Sequence, residues 1–360
     1  SPCSRATLAR TMDEGQPSDS AETALTREIV KILVVQALGY GLKASKLMDA
    51  RTQAGLSAYV GQVAFPAVLF KALATMDLKR VNIVVAAAAL LAKSLAVAVA
   101  MFVGWAMTPR SEGVGFGHAR GGMVALYGTM SDDVALGVPV FSVLFDDPNL
   151  TSMLYLLSGM QSLVMNPCCY AIFALYNVRT QTAAALAAAE ARGEHLHLDD
   201  EVGGPDGLGK LIVQVLRGVV MNPLFFSVLL GLAWNLAALG SGAASPALPV
   251  WVADPLELLA LSFLPATYFV GGMTMVGAFT SLNSLRYVEV PVLMVSIKSL
   301  FLPFASYALV VAFGGSTDER DFAFEYGLLP TASSSLLILQ RFDLPAPMIT
   351  AHNVALGLGR

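Results

Sequence analysis

Apolar residues fill most of this chain in long runs, and the polar residues collect in short clusters between them. Charged residues gather at 1–31, 43–51, 77–80, 109–120, 146–147, 178–217, 286–289, 318–325 and 341–343. The apolar runs between these clusters are long enough to cross about 30 Å of hydrocarbon as helices. They predict ten spans, at approximately 28–45, 53–76, 80–107, 119–145, 150–177, 209–238, 253–280, 286–313, 322–340 and 344–360. The last is short enough to be a truncated helix.

Two spans are interrupted. The fourth contains Ser131-Asp132-Asp133-Val134-Ala135-Leu136-Gly137-Val138-Pro139, and the ninth contains Leu329-Pro330-Thr331-Ala332-Ser333-Ser334-Ser335. Proline cannot donate a backbone hydrogen bond and restricts the residue before it. Backbone freed from a helix inside a bilayer persists only where protein buries it or a cavity faces it. Paired breaks, one in each half of a chain, point to the substrate site of a secondary transporter.

The halves are joined by residues 178–208, the longest connection, with the Ala-rich run Ala183–Ala191 followed by acidic and Gly/Pro-rich stretches. It reads as a linker between a first five-helix repeat at 28–177 and a second at 209–360. An odd number of spans per half inverts the second half relative to the first. Faint internal similarity fits this. Phe65-Pro66-Ala67-Val68-Leu69-Phe70 resembles Leu264-Pro265-Ala266-Thr267-Tyr268-Phe269, and Ala92-Lys93-Ser94-Leu95 resembles Ile297-Lys298-Ser299-Leu300. Met165-Asn166-Pro167 and Met221-Asn222-Pro223 also look alike but fall in spans five and six, which are not partners. There an Asn beside a proline kink is expected to fill freed hydrogen bonds.

Composition sets the class: 56% hydrophobic and 13% charged residues, with a mean hydropathy of +0.65, describe a polytopic helical membrane protein. The net charge of −4 carries little information, because insertion responds to where Lys and Arg lie. Their bias favours an N-terminus outside the cytosol, with Lys43, Lys46, Arg51, Arg110, Arg120, Arg179, Arg192, Lys210, Arg217, Arg286 and Arg341 in cytosolic loops. Three cysteines, Cys3, Cys168 and Cys169, offer no disulfide framework. Residues 1–27 read as a polar disordered tail without a signal pattern, and the chain as a fragment of a longer product.

Charges inside the spans are the candidate chemistry. A charge near the bilayer centre costs about 2.5–3.5 kcal/mol, so it ordinarily faces a bundle interior or an aqueous cavity. Crossing broken helices bring two amino ends and two carboxyl ends together, each carrying about half a charge. Lys93 and Lys298 are read as support for that crossover. Lys71 has the same reading, with snorkelling to the interface from near the span end, close to Asp77, as the alternative. Asp132, at the break, is the first candidate for contact with substrate or a coupling ion. Asp133 either joins it or pairs with a lysine. Gly137, Pro139, Pro330, Thr331 and Ser333 complete the candidate substrate-binding set. His195 and His197 read as part of a solvated acidic loop. No metal, cofactor or nucleic-acid motif and no enzyme signature stands out.

These motifs resemble the auxin efflux carrier-like membrane transport family, in which an Asn precedes a Gly-x-Pro in span four; Asp132 stands at the position of that Asn. Phe65-Pro66-Ala67-Val68-Leu69-Phe70-Lys71, Met221-Asn222-Pro223 and Gly272-Met273-Thr274-Met275-Val276-Gly277 resemble a branch fused to further domains in a lysosomal sterol sensor. Leu329-Pro330-Thr331 sits where the plant carriers have Pro-Gln-Gly, with Ala332 in a Ser-rich setting. The resemblance covers approximately 28–360. It implies an all-α, ten-helix, five-plus-five inverted repeat in which spans four and nine cross. It also implies a homodimer, elevator-like alternating access, and a membrane location in an endomembrane (lysosome, vacuole or ER) or the plasma membrane. The function expected is transport of a small organic or amphipathic, lipid-like solute. The alternative is a transporter-derived sensor of a ligand such as a sterol, signalling through additional domains.

Overall fold

The computed structural model describes residues 21–108, 115–192, 209, 213, 215–216, 219, 222–241, 246–277, 289–339, 342 and 344–359. Residues 1–20, His195, His197 and most of the expected linker lie outside them. The helices are α1 (Ala21–Ala44), α2 (Ala50–Thr75), α3 (Ile83–Ala106), α4 (Phe116–Thr129) and α5 (Val138–Leu144). Helix α6 (Pro148–Met160) is continued by a wide turn at Gln161–Met165 and by Asn166–Ala191. Then come α7 (Pro223–Gly240), α8 (Val250–Met275), α9 (Glu289–Ala312), α10 (Thr317–Leu328), α11 (Ser334–Leu339) and α12 (Ala346–Leu358). Among the described residues there is no strand, only an isolated antiparallel bridge between Ser131 and Thr331.

Six of these helices are long and apolar enough to cross a membrane, where the hydrophobic runs predict ten spans. The reasons for the difference are local. Arg27, Glu28 and Lys31 dilute the first half of α1. Spans four and nine are each divided into two short helices, and α12 has 13 residues. Two boundaries also differ from the sequence reading. The Ala-rich run continues α6 to Ala191, because alanine has the highest helix propensity and nothing in the run stops the helix. Asn222 begins a helix rather than filling a kink: its side chain accepts from the Leu224 N–H at 3.1 Å, with Pro223 at the first helical position.

Among the described residues four helical turns are widened to i→i−5 hydrogen bonding, at Val60–Ala64, Asp133–Gly137, Gln161–Met165 and Ile297–Phe301. Each is followed, after one residue, by a proline: Pro66, Pro139, Pro167 and Pro303. A proline ring inside a helix collides with the carbonyl four residues back and leaves it without a donor. Widening the turn before it relieves both problems. Pro255 and Pro265 in α8 have no such turn, so the similarity of Pro66 and Pro265 in sequence does not extend to their backbone.

Helix α4 is buried on every side, from Ala119 through Thr129, as expected of a helix at the centre of a bundle. It packs along α3 and against α6, while α9 packs along α10, α1 along α8 and α2 along α7. The α3 face turned inward is almost entirely small: Ala88, Ala89, Ala92, Ala96, Ala100 and Gly104, with Lys93 among them. Small residues let helix backbones approach closely where no water exists to drive association. The closest approach is α1 on α8, where a Cβ on Gly272 would lie 1.9 Å from the Gln36 carbonyl oxygen. The outer surface is apolar, with Leu33, Val34, Phe102, Leu230, Leu258 and Phe304 exposed. Trp105 and Trp251 are exposed near helix ends, where the membrane interface favours indole rings.

Candidate functional site

The two broken segments meet. Helix α4 ends at Thr129 and α10 at Leu328, and the chain then runs extended through 130–132 and 329–332. The Asp132 N–H donates to the Pro330 carbonyl at 2.8 Å, and the Ala332 N–H to the Met130 carbonyl at 3.0 Å. The Thr331 hydroxyl donates to the Tyr127 carbonyl in the last turn of α4 at 2.8 Å. Each break thereby supplies the partners that the other lost, as a site without bulk water requires. Helix resumes where the Asp132 carbonyl accepts from the Leu136 and Gly137 N–H groups at 3.2 and 3.0 Å.

A buried charged cluster surrounds this junction. Lys298, on the widened turn of α9, donates to the Ser131 hydroxyl at 2.5 Å. Lys93, on α3, donates to Gln161 Oε1 at 3.0 Å and lies 5.0 Å from the centroid of the Tyr326 ring. Asp133 is 2% exposed, and both lysines act electrostatically on it. Its Oδ2 accepts a long hydrogen bond from the Tyr326 hydroxyl at 3.4 Å, while its Oδ1 has no hydrogen-bond partner. Opposite charges at such depth stabilise one another because desolvation makes each alone costly. Lys71 is placed elsewhere. It forms an ion pair with Glu257 of α8 at 3.0 Å, with both side chains partly exposed. Its position near the end of α2 lets the ammonium reach a polar partner at the periphery, and that partner is not Asp77.

A cavity of about 260 Å³ opens beside the junction. Of the candidate residues, Asp132, Asp133 and Ser333 line it; Gly137, Pro139, Pro330 and Thr331 are not among its lining residues. They shape the backbone instead. A Cβ on Gly137 would meet Leu329 Cδ1 at 3.0 Å and Leu154 Cδ1 at 3.2 Å, so glycine there lets the restarted helix lie against the other break. Pro139 sits at the start of α5, directly after the widened turn.

Several cavity residues were missed from sequence. Gln53 and Ser57 reach it from α2, Gln161, Ser162 and Asn166 from the widened turn of α6, and Thr267 from α8. Asn166 Oδ1 accepts from Gln161 Nε2 at 3.0 Å, so its side chain belongs to the network that holds Lys93. The available signal was a group of amide and hydroxyl side chains inside an apolar span and next to a proline. A second residue was misplaced: Arg120, read as a cytosolic loop cation, is 1% exposed within α4. It donates to the Met107 carbonyl that ends α3 at 3.0 Å and to Glu289 at the start of α9 at 2.6 Å.

The family model for membrane transport proteins matches residues 24–351. That span includes both breaks, the charged cluster and the cavity. The chain belongs to this family, the auxin efflux carrier-like transporters. Among curated proteins it is similar to the lysosomal cholesterol signaling protein of Mus musculus, at 25% identity over 349 residues. The match covers 94% of this chain but 36% of that protein. The family, the apolar helices and the exposed apolar surface together make the chain an integral membrane protein of transporter type.

Proposed function

We propose that this chain is a secondary transporter unit that carries a small organic or amphipathic solute by alternating access around the junction of residues 130–133 and 329–333. The observation that carries the reading is the cavity. Its wall joins two helix breaks, which hold each other by backbone hydrogen bonds, to residues of α2 and α8, so a solute in it touches both the bundle that would move and the helices it would move against.

The packing supports a five-plus-five inverted repeat. Pairing span one with six and two with seven exchanges α1 with α7 and α2 with α8. The α1–α8 packing then corresponds to the α7–α2 packing. In the same way α3 on α4 corresponds to α9 on α10. Helices α1, α2, α7 and α8 would form a scaffold in a homodimer. The bundle of α3–α6 and α9–α12 would carry the site in an elevator-like motion. The signalling activity in the relative's name belongs to a protein of which this chain covers 36%.

The test is flux. The protein reconstituted in liposomes is expected to show saturable uptake and counterflow of a mixed panel of small organic solutes, with Asp132→Asn lowering the rate at least tenfold. Saturable binding with no translocation in either direction would overturn the carrier reading.

A further inference from the structure

We propose that the cavity selects a protonated amine, a small aromatic ammonium solute, and that Asp132 and Asp133 form its cation-recognising end. This rests on the reading above for the location of the site, and not on translocation.

The charges are distributed unevenly about the cavity. Its lining contains two carboxylates, Asp132 and Asp133, and no Lys, Arg or His. The two lysines of the cluster are not among the lining residues and are occupied, Lys93 by Gln161 and Lys298 by Ser131. Formal charges of the four groups cancel, but the two aspartates are the members among the lining residues. At low effective dielectric the nearer charges dominate the potential a solute meets. An anion would face both carboxylates with no cation on its own side.

Asp133 provides the independent observation. Its Oδ1 is a buried acceptor without a hydrogen-bond partner, and such a group costs about 1–3 kcal/mol, more when charged. An ammonium brings the N–H donors that would satisfy it. The amino end of the helix restarting at Asp133, which would favour an anion, already has the Asp133 carboxylate in its first turn.

The rest of the wall fits an aromatic body. Phe65 and Phe263 both line the cavity and are stacked, with ring centroids 5.1 Å apart and planes 13° apart. Aromatic faces accommodate both a solute ring and its cationic head. The cavity size suits a single-ring molecule rather than a fused polycycle, since pockets for drug-sized ligands run to about 300–1,000 Å³.

Three probes that share a phenylethyl body and differ in head group test this on the purified wild-type protein by calorimetric titration: 2-phenylethylamine, 2-phenylethanol and 3-phenylpropionate. The amine is expected to bind at least tenfold more tightly than the other two. Asp133→Asn is expected to reduce amine affinity at least tenfold while leaving the alcohol within twofold. Preference for the propionate, equal binding of amine and alcohol, or binding of none by folded protein overturns the assignment. So does binding of sodium ions without amine binding. The two readings fail separately: amine binding without flux sinks the carrier alone, and saturable counterflow of the propionate with no amine binding sinks the ammonium assignment alone.

Discussion

The Asp132 N–H and the Pro330 carbonyl oxygen lie 2.8 Å apart, joining two helix breaks from opposite halves of the chain. Pro330 cannot donate to its own helix, and its carbonyl is free to accept because α10 has already ended. The bond places Asp132 and Asp133 beside the cavity, so the backbone pairing and the candidate chemistry are one arrangement.

Lys298 and Asp133 are expected to be coupled. Both are buried, and removing one charge from a buried cluster leaves the other uncompensated, at a cost of about 3–5 kcal/mol. Lys298→Met alone should lower the detergent-solubilised melting temperature sharply. Lys298→Met with Asp133→Asn should recover most of the loss, since Lys93 and Asp132 then remain as an opposite pair. Additive losses in the double-mutant cycle would show that the two residues do not act on each other.

Thr331 should matter for stability through its hydroxyl. It is 2% exposed and its Oγ1 satisfies the Tyr127 carbonyl. Thr331→Val keeps the shape and removes the donor, which should cost about 1–3 kcal/mol. Thr331→Ser should retain most of the stability. Thermal unfolding of the two variants side by side distinguishes hydrogen bonding from packing; equal losses would contradict the role given to the hydroxyl.

Gly272→Ala is expected to prevent the α1–α8 packing, because the new Cβ would lie 1.9 Å from a backbone oxygen that cannot rotate away. The effect should appear as lost monodisperse protein on size-exclusion chromatography. Gly55→Ala, whose Cβ would meet nothing within 4 Å, should gain about 0.5–1 kcal/mol from helix propensity. The contrast tests close approach against a general intolerance of glycine replacement.

Arg120 is expected to be worth more than its ion pair. Its guanidinium joins the carboxyl end of α3 to the amino end of α9. Both ends are electrostatically suited to their partners. Arg120→Gln should destabilise by about 2–4 kcal/mol, as loss of a buried charged donor does. Glu289→Gln should cost less than Arg120→Gln, because Glu289 is 43% exposed and the amide oxygen can still accept from the guanidinium. Melting curves of both variants provide the check, and a larger loss for Glu289→Gln would reverse this account.

Some of the site was legible and some was not, for identifiable reasons. The break in the ninth span carries Pro330 itself, and in the fourth span Pro139 marks the helix that restarts after α4 has stopped at Thr129; proline chemistry is local. The four widened turns were not foreseen, although each precedes a proline, because Pro265 has similar surroundings and no such turn. Lys93 and Lys71 look alike in sequence because both lie deep in apolar runs. Depth along a helix does not say which neighbour faces a side chain, and Lys71 found Glu257. Gln161 and Asn166 were hidden for the same reason: only the arrival of Lys93 from α3 shows what they hold. Arg120 was assigned to a loop by its charge, yet the ends of α3 and α9 provide partners that pay for its burial.

By itself the sequence determined the membrane class, the long helices and the points where proline forbids a regular turn. These depend on the number of consecutive apolar residues and on backbone chemistry that needs no partner. Only the tertiary structure decided that the two breaks hydrogen bond to each other, that Lys298 reaches Ser131 and Lys93 reaches Gln161 beside them, and that carboxylates rather than ammonium groups line the cavity. Those outcomes depend on how helices rotate about their axes when they pack. That rotation is set by which small residues, such as Gly272 and the alanines of α3, allow close approach.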